Sequence, residues 1–135
     1  MYQDRVTIFN RVGNTWQAKP LSGVDLNVDR MAVLATYGAS SGDSAKLHIK
    51  YNGDNVGDFV YKEPKQFTGG EEITFRSGEE FDFFMEGIWN GDAVVDDTAY
   101  IDGFYNYMNA NYDNVFAITS VAKYSVIPHF EIMGR

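Results

Sequence analysis

The last twenty residues constrain the fold most. From Val115 to Gly134 the side chains alternate with a period of two. Phe116, Ile118 and Ser120 fall on one face against Ala117, Thr119 and Val121, and then Phe130 and Ile132 fall against His129 and Glu131. That period belongs to a strand, because successive strand side chains point to opposite faces while helical ones return after 3.6 residues. Pro128 stands where the second run begins, a place where a missing N–H is tolerated. The segment reads as two antiparallel strands joined by a short turn, so a β-domain closes here.

The same period recurs upstream. A first strand over about Arg5 to Asn10 sets Val6 and Ile8 against Thr7 and Phe9. A second runs from about Trp16 to Leu21. Val24 to Asp29 alternates strictly, with Val24, Leu26 and Val28 inward and Asp25, Asn27 and Asp29 outward. The apolar run from Met31 to Ala35 fits a strand or a helical turn. Gly38 to Ser44 is a loop of small residues. Ala45 to Tyr51 returns as a strand, with Leu47, Ile49 and Tyr51 opposite His48 and Lys50. Asn52-Gly53 marks a hairpin turn and Phe59 to Tyr61 its returning strand. Lys62 to Gln66 reads as irregular. Glu72 to Arg76 and Phe81 to Met85 read as two strands about a Ser77-Gly78 turn, and Trp89 to Asp97 as a loop.

One helix is expected over about residues 97–110. Asp96 or Asp97 can cap it, and Tyr100, Phe104 and Met108 share a face that Ile101 and Tyr105 widen. It should end between Asn109 and Asp113. Gly103 inside it costs about 1 kcal/mol relative to alanine, so it is read as a close approach to the sheet. The expected fold is a mainly β, small antiparallel β-barrel or sandwich with one α-helix, residues 1–135 forming a single domain.

Bulk properties exclude several classes. With 44% hydrophobic and 16% aromatic residues the chain can bury a core and is no disordered tail. No apolar run approaches the ~20 residues of a membrane span, and Gln3, Asp4 and Arg5 do not begin a signal peptide. Synthesis in the cytoplasm is therefore expected. Without cysteine there is no disulfide framework and no thiolate ligand or nucleophile. A net charge of −8 argues against a broad nucleic-acid footprint, which needs Lys and Arg at the phosphates. Carboxylates lining a conduit would instead keep DNA from adhering; equally, such a charge keeps a small domain soluble.

No catalytic constellation is legible. His48 and His129 are far apart in sequence, with no carboxylate at ligand spacing, so neither a metal site nor a catalytic acid or base is expected there. The pairs Glu71-Glu72, Glu79-Glu80 and Asp96-Asp97 suggest a glycosidase, but neighbouring strand residues point apart and cannot converge on one sugar. Asp96-Asp97 is more economically a helix cap. A calcium loop, a G-x-S-x-G elbow and a phosphate-binding glycine loop are missing from the sequence. No cofactor and no enzyme activity are expected. Trp16, Trp89 and nine tyrosines leave two readings: a sugar-binding or receptor-binding platform on a β-sandwich, or core and interface packing, with packing favoured.

The wording at both ends of the chain adds a resemblance. Ile118-Thr-Ser-Val-x-x-Tyr124, followed by Pro128-His-Phe-Glu-Ile-x-Gly134, resembles the final hairpin of the small head-completion proteins of long-tailed phages. These are the head–tail stoppers and adaptors. Asp4-x-Val-Thr-Ile-x-x-Arg11 resembles their first strand. A turn at Gly13-Asn14, Trp16, and the step Leu21-x-Gly-Val-Asp-Leu26 follow in the same order.

The resemblance covers about half of the chain and implies a structural virion protein, neither enzyme nor cofactor binder. It implies a homo-oligomeric ring of six or twelve copies at the head–tail interface, stacked between portal-side adaptor and tail proteins. Such a ring retains packaged DNA in its lumen without sequence-specific binding, and no membrane is involved. In that family a loop points into the lumen. The matching loop by position is Tyr37, Gly38, Ala39, Ser40, Ser41, Gly42, Asp43 and Ser44. The expected helix departs from the shortest members, which keeps another tail-completion or minor head protein as an alternative.

Overall fold

The computed structural model describes residues 2–29 and 44–135. Its strands are β1 (Asp4–Val12), β2 (Thr15–Val28), β3 (Ala45–Lys50), β4 (Asn55–Val56), β5 (Phe59–Tyr61), β6 (Glu72–Ile73), β7 (Phe83–Glu86), β8 (Val94–Asp96), β9 (Val115–Tyr124) and β10 (His129–Gly134). A 3-10 turn occupies Asp97–Ala99, and α1 spans Phe104–Asn111. Six strands close a barrel in the order β1-β7-β9-β10-β3-β2, with β2 returning to β1 and every pairing antiparallel. The fold is thus mainly β with one helix, as expected, and of the two expected architectures it is the barrel and not the sandwich.

The barrel interior is a continuous core. Val6, Ile8, Leu47, Phe84, Ile118, Phe130 and Ile132 fill it, and Val56, Ile73 and Phe75 join the same cluster from the small sheet β4-β5-β6. The Tyr61 ring lies tilted against Phe130 at 4.7 Å between centroids, and Phe75 meets Phe130 edge to face at 5.0 Å. The small sheet therefore plugs the barrel, which is packed with side chains and is no pore. Each such side chain contributes ~1.5–3 kcal/mol on burial. A second cluster lies on the outer side of β1 and β7, where β8 and α1 cover Phe9, Trp16, Phe83 and Val115. Phe9 and Phe83 stack at 4.7 Å. This second layer explains why Val6 to Asn10 are all buried, although alternation turns only every other residue inward.

Several expectations need correction. The two strands expected between Trp16 and Asp29 are one, β2. Pro20 lies between the stretch paired with β8 and the stretch paired with β3, where a missing N–H costs no ladder bond on that edge. Gly23 at φ +66° accompanies a register shift opposite Asp4 and Arg5, so β2 bends from one neighbour to the next. The Asn52-Gly53 turn forms, with reciprocal Asn52 and Asn55 backbone bonds of 2.9 Å, but β5 does not return to β3. It pairs with β4 and, in parallel, with β6.

The strand expected over Glu72 to Arg76 shrinks to two residues and does not pair with β7, whose partners are β1 and β9. The expected Trp89 to Asp97 loop contains β8. In β9 a register shift near Ile118 turns Val121 to the core side, opposite Ile132, instead of leaving it across from Phe116 and Ile118. Gly134 shares that crowded spot: a Cβ there would lie 2.8 Å from the Phe116 Cβ and 2.9 Å from the Phe84 ring.

The helix is shorter than 97–110 and interrupted. Ile101 is fully exposed and joins no apolar stripe. Gly103 is not inside the helix but at its N-cap, at φ +89°, a region L side chains avoid. Both expected caps exist. Asp96 accepts from Thr98 N–H at 2.9 Å, and Asp97 reaches past the break to accept from Phe104 N–H at 2.8 Å. Asp97 also accepts from the Trp16 indole at 2.9 Å and meets Arg11 at 3.3 Å, tying α1 to the β1–β2 hairpin. Burial alone would raise its carboxyl, but Phe104, Trp16 and Arg11 outweigh that and hold it below the ordinary range.

Asp82 is the buried ionic centre, fully enclosed just before β7. Its oxygens accept from the Arg76 guanidinium at 2.8 and 2.9 Å and from Arg76 and Arg11 N–H, each at 3.0 Å. Its own carbonyl accepts from Ile118 N–H at 3.0 Å. Arg76 donates onward to the Arg11 carbonyl, and Asn10 donates to the Thr74 carbonyl at 2.7 Å. Burial pushes the Asp82 carboxyl above its usual range, with Arg76 pulling against it.

Breaking a buried pair by removing one partner costs about 3–5 kcal/mol. Asp82→Ala should lose that much in urea unfolding, and Arg76→Met with Asp82→Leu should recover part of it. A loss under ~1 kcal/mol for Asp82→Ala, where single surface changes fall, would show that the segment holds without the clamp. Ile118→Asp, which places an unpaired charge in the core, should abolish the cooperative transition; a folded Ile118→Asp protein would contradict the barrel core.

Candidate functional site

Of the expected channel loop, Tyr37 to Asp43 lie outside the described residues. Ser44 is described and is not an exposed loop residue. It is buried at the barrel rim, donating its N–H to the Gly134 carbonyl at 2.8 Å and accepting from Asp29 N–H at 2.7 Å. The β2–β3 connection therefore leaves the rim at Asp29 and re-enters at Ser44.

The two histidines, remote in sequence, are neighbours in space. Strands β2, β3 and β10 lie side by side, with His48 opposite Asp25 on one flank and Glu131 on the other. Because side chains two apart share a face, His129 joins the row. The imidazole rings are 5.9 Å apart, and Tyr124 stacks on His129 at 4.9 Å. Nδ1 of His129 is 2.7 Å from the Ile127 carbonyl oxygen, and Nε2 is 3.1 Å from Glu131. His48 Nε2 stands 3.8 Å from the same Glu131 oxygen, with Nδ1 3.7 Å from Asp25.

A neutral imidazole has one N–H, so donating to both acceptors requires His129 to be an imidazolium. The Ile127 carbonyl and then Glu131 accordingly raise the His129 pKa, while the hydrogen bond from His129 lowers that of Glu131. This arrangement braces the β9–β10 turn. Among the described residues no group of three or more His, Asp or Glu is placed to hold a metal ion.

Of the acidic pairs only Glu72 and Asp96 lie in strands; Glu79 and Glu80, expected to point apart, sit in a turn and line the same cleft. Glu72 accepts from Thr68 N–H at 2.9 Å, which holds its carboxyl low. Nearby, Lys19 is buried in β2 and donates to the Gly70 carbonyl; burial pushes its ammonium pKa down, against Glu72 and Glu71. Glu79, Glu80, Asp97 and Asp102 line a cleft of about 500 Å³ with Arg11 and Trp16. Asp97 there is already held by three partners and acts as a structural tie. Trp16 is buried in the outer cluster and Trp89 packs against it, so neither forms an open stacking platform.

Sequence reasoning missed two features: the apolar crown of the β9–β10 turn and the α1 cleft. Val126 and Ile127 are 95% and 75% exposed. A cleft of about 380 Å³ opens beside Tyr100, Tyr107 and Ala110, with Ile101 at its lip. The legible signals were Val126-Ile127 placed at a turn before a proline and an isoleucine out of step with the helical stripe.

In comparison with known proteins, residues 1–135 match a family of unknown function, DUF6751. No curated protein and no solved structure matches.

The His129–Glu131 pair should give stability a pH window. The raised histidine contributes fully below its ordinary 6.5, and that contribution is lost as pH rises through the higher folded value. The lowered glutamate contributes above its ordinary 4.5 and is lost as pH falls through the lower folded value. The melting temperature should therefore decline as pH rises from 6.5 through the higher folded value, by an amount that His129→Gln abolishes. Superimposable profiles for the two proteins would remove the brace.

Proposed function

The chain belongs to DUF6751, a family of unknown function, and for it we propose a structural role in the phage neck. It is a ring-forming, stopper-like virion protein that joins head to tail and retains packaged DNA. The observation that carries this reading is the meeting of the two resembled segments in one wall. β1, from the start of the sequence, and β9–β10, from its end, are drawn together through β7 into one closed barrel.

The filled interior supports the same reading. A barrel packed with Phe84, Phe116 and Phe130 and plugged by β4-β5-β6 has no lumen of its own, so a conduit must lie between copies. The charge suits a wall that DNA passes without adhering: net −8, with no Lys or Arg between Arg76 and Lys123. In this proposal the resemblance assigns the gating role to Tyr37 to Asp43, which lie in sequence between the described residues Asp29 and Ser44.

Two measurements test it. Mass spectrometry and cryo-electron microscopy of purified particles should find the chain at the neck; its absence from particles would remove the assignment. Shortening the chain between Tyr37 and Asp43 should leave thermal unfolding unchanged, because both described core clusters are built from other residues. Tailless heads carrying that variant should leak DNA, and equal retention would remove the gating role while leaving the ring.

A further inference from the structure

The two ends of the molecule differ in kind. At the β9–β10 turn, Val126 and Ile127 form an almost fully exposed apolar crown. Lys123 stands just before it on β9, and Lys50 lies directly opposite His129 on the adjoining strand. Below the crown, the hydrogen bond between the His129 ring and the Ile127 carbonyl fixes the turn's shape.

At the other end of β9, α1 delivers the chain to Val115. Its cleft is lined by the mutually tilted rings of Tyr100 and Tyr107, 4.7 Å apart, with Ala110 beside them and the fully exposed Ile101 at the lip. The surrounding sequence, residues 77–122, carries no Lys or Arg and nine carboxylates, of which Asp82 and Asp97 are taken up by Arg76 and Arg11 and seven remain. One end thus offers an apolar knob with cations, and the other an apolar socket in an acidic surround.

Val115 and Tyr124 bound a ten-residue strand, so roughly 30 Å separates the two ends at about 3.3 Å per residue. That strand is paired with β7 over Val115 to Ala117 and with β10 over Ile118 to Tyr124 and cannot fold back, so a knob cannot fill the socket of its own chain. Exposed tyrosine and isoleucine in a concave patch are typical of the centre of a protein interface.

We propose that the Val126–Ile127 crown of one copy seats in the Tyr100–Tyr107 cleft of the next, the partner being a second copy of this chain. The contact uses different surfaces on its two sides, and head-to-tail contacts of that type close into rings when the rotation between copies permits. It supplies the joint of the ring proposed above and rests on that reading. Lys50 and Lys123 approach the acidic socket, so assembly weakens as salt rises.

The test uses the intact chain. Ile127→Asp removes the knob and Ile101→Asp the socket lip; both side chains are exposed, so both proteins should fold with native circular dichroism. In sedimentation velocity at high concentration the native chain should form closed oligomers and each variant alone should be monomeric. An equal mixture of the two should stop at dimers, since one intact knob then meets one intact socket. As a second measurement, Ile127→Cys with Tyr107→Cys in this cysteine-free chain should give a covalent ladder with a short thiol cross-linker, which neither single variant gives.

Oligomers that survive both aspartate substitutions would overturn this contact and leave the ring reading standing. A mixture that fails to dimerise would overturn it also. A native chain that stays monomeric and gives no ladder would overturn self-contact altogether, while the neck role is decided separately by the particle analysis.

Discussion

The Asp82 carboxylate, sealed between β1 and the approach to β7, is the constraint on which the rest depends. It accepts from both the side chain and the backbone of Arg76 and from the backbone of Arg11, while its own carbonyl receives Ile118 N–H. One residue therefore pins the end of β1, the start of β7, the flank of β9 and the irregular Thr74–Arg76 stretch. An ionised group without water is costly unless every lone pair is met, and here four donors meet it. With that stretch held, Phe75 and Ile73 are delivered to the barrel core, and the small sheet becomes its plug.

The second consequence is that β1 and β7 are buried on both faces. The inner face completes the barrel and the outer face carries the Phe9–Phe83 stack, over which α1 and β8 close. Asp97 fastens this outer layer, using one carboxylate to cap α1, hold Trp16 and pair with Arg11. The outer layer makes the molecule asymmetric along its length, with helix and carboxylates at one end and the braced β9–β10 turn at the other. A filled barrel of this kind presents surfaces, not a cavity, and its proposed role in a ring follows from what those surfaces can meet.

Much of the barrel was legible from period-two patterns because local backbone geometry alone sets which side chains share a face. The closing hairpin, β3 and the paired caps at Asp96 and Asp97 are of this kind. The errors occur where pairing partners decide. Phe59 to Tyr61 looked like the return arm of a hairpin, yet it pairs with β4 and β6. Lys19 is of a residue type that is seldom buried, yet it is enclosed in β2 because Gly70 closes over it from fifty-one residues away. The shift near Ile118 that turns Val121 inward is set by the β10 register, which no local pattern shows.

The candidate site divides in the same way. The sequence by itself determined the mainly β fold class and the acidic balance, since these are properties of composition and short-range order. Tertiary structure alone placed His48 beside His129 and Glu131, buried Asp82 against Arg76, and set the crown and the α1 cleft at opposite ends of β9. Each of those relations joins residues far apart in the chain through strand register. Register is fixed by which faces can be buried together, a property of the whole barrel and of no single strand.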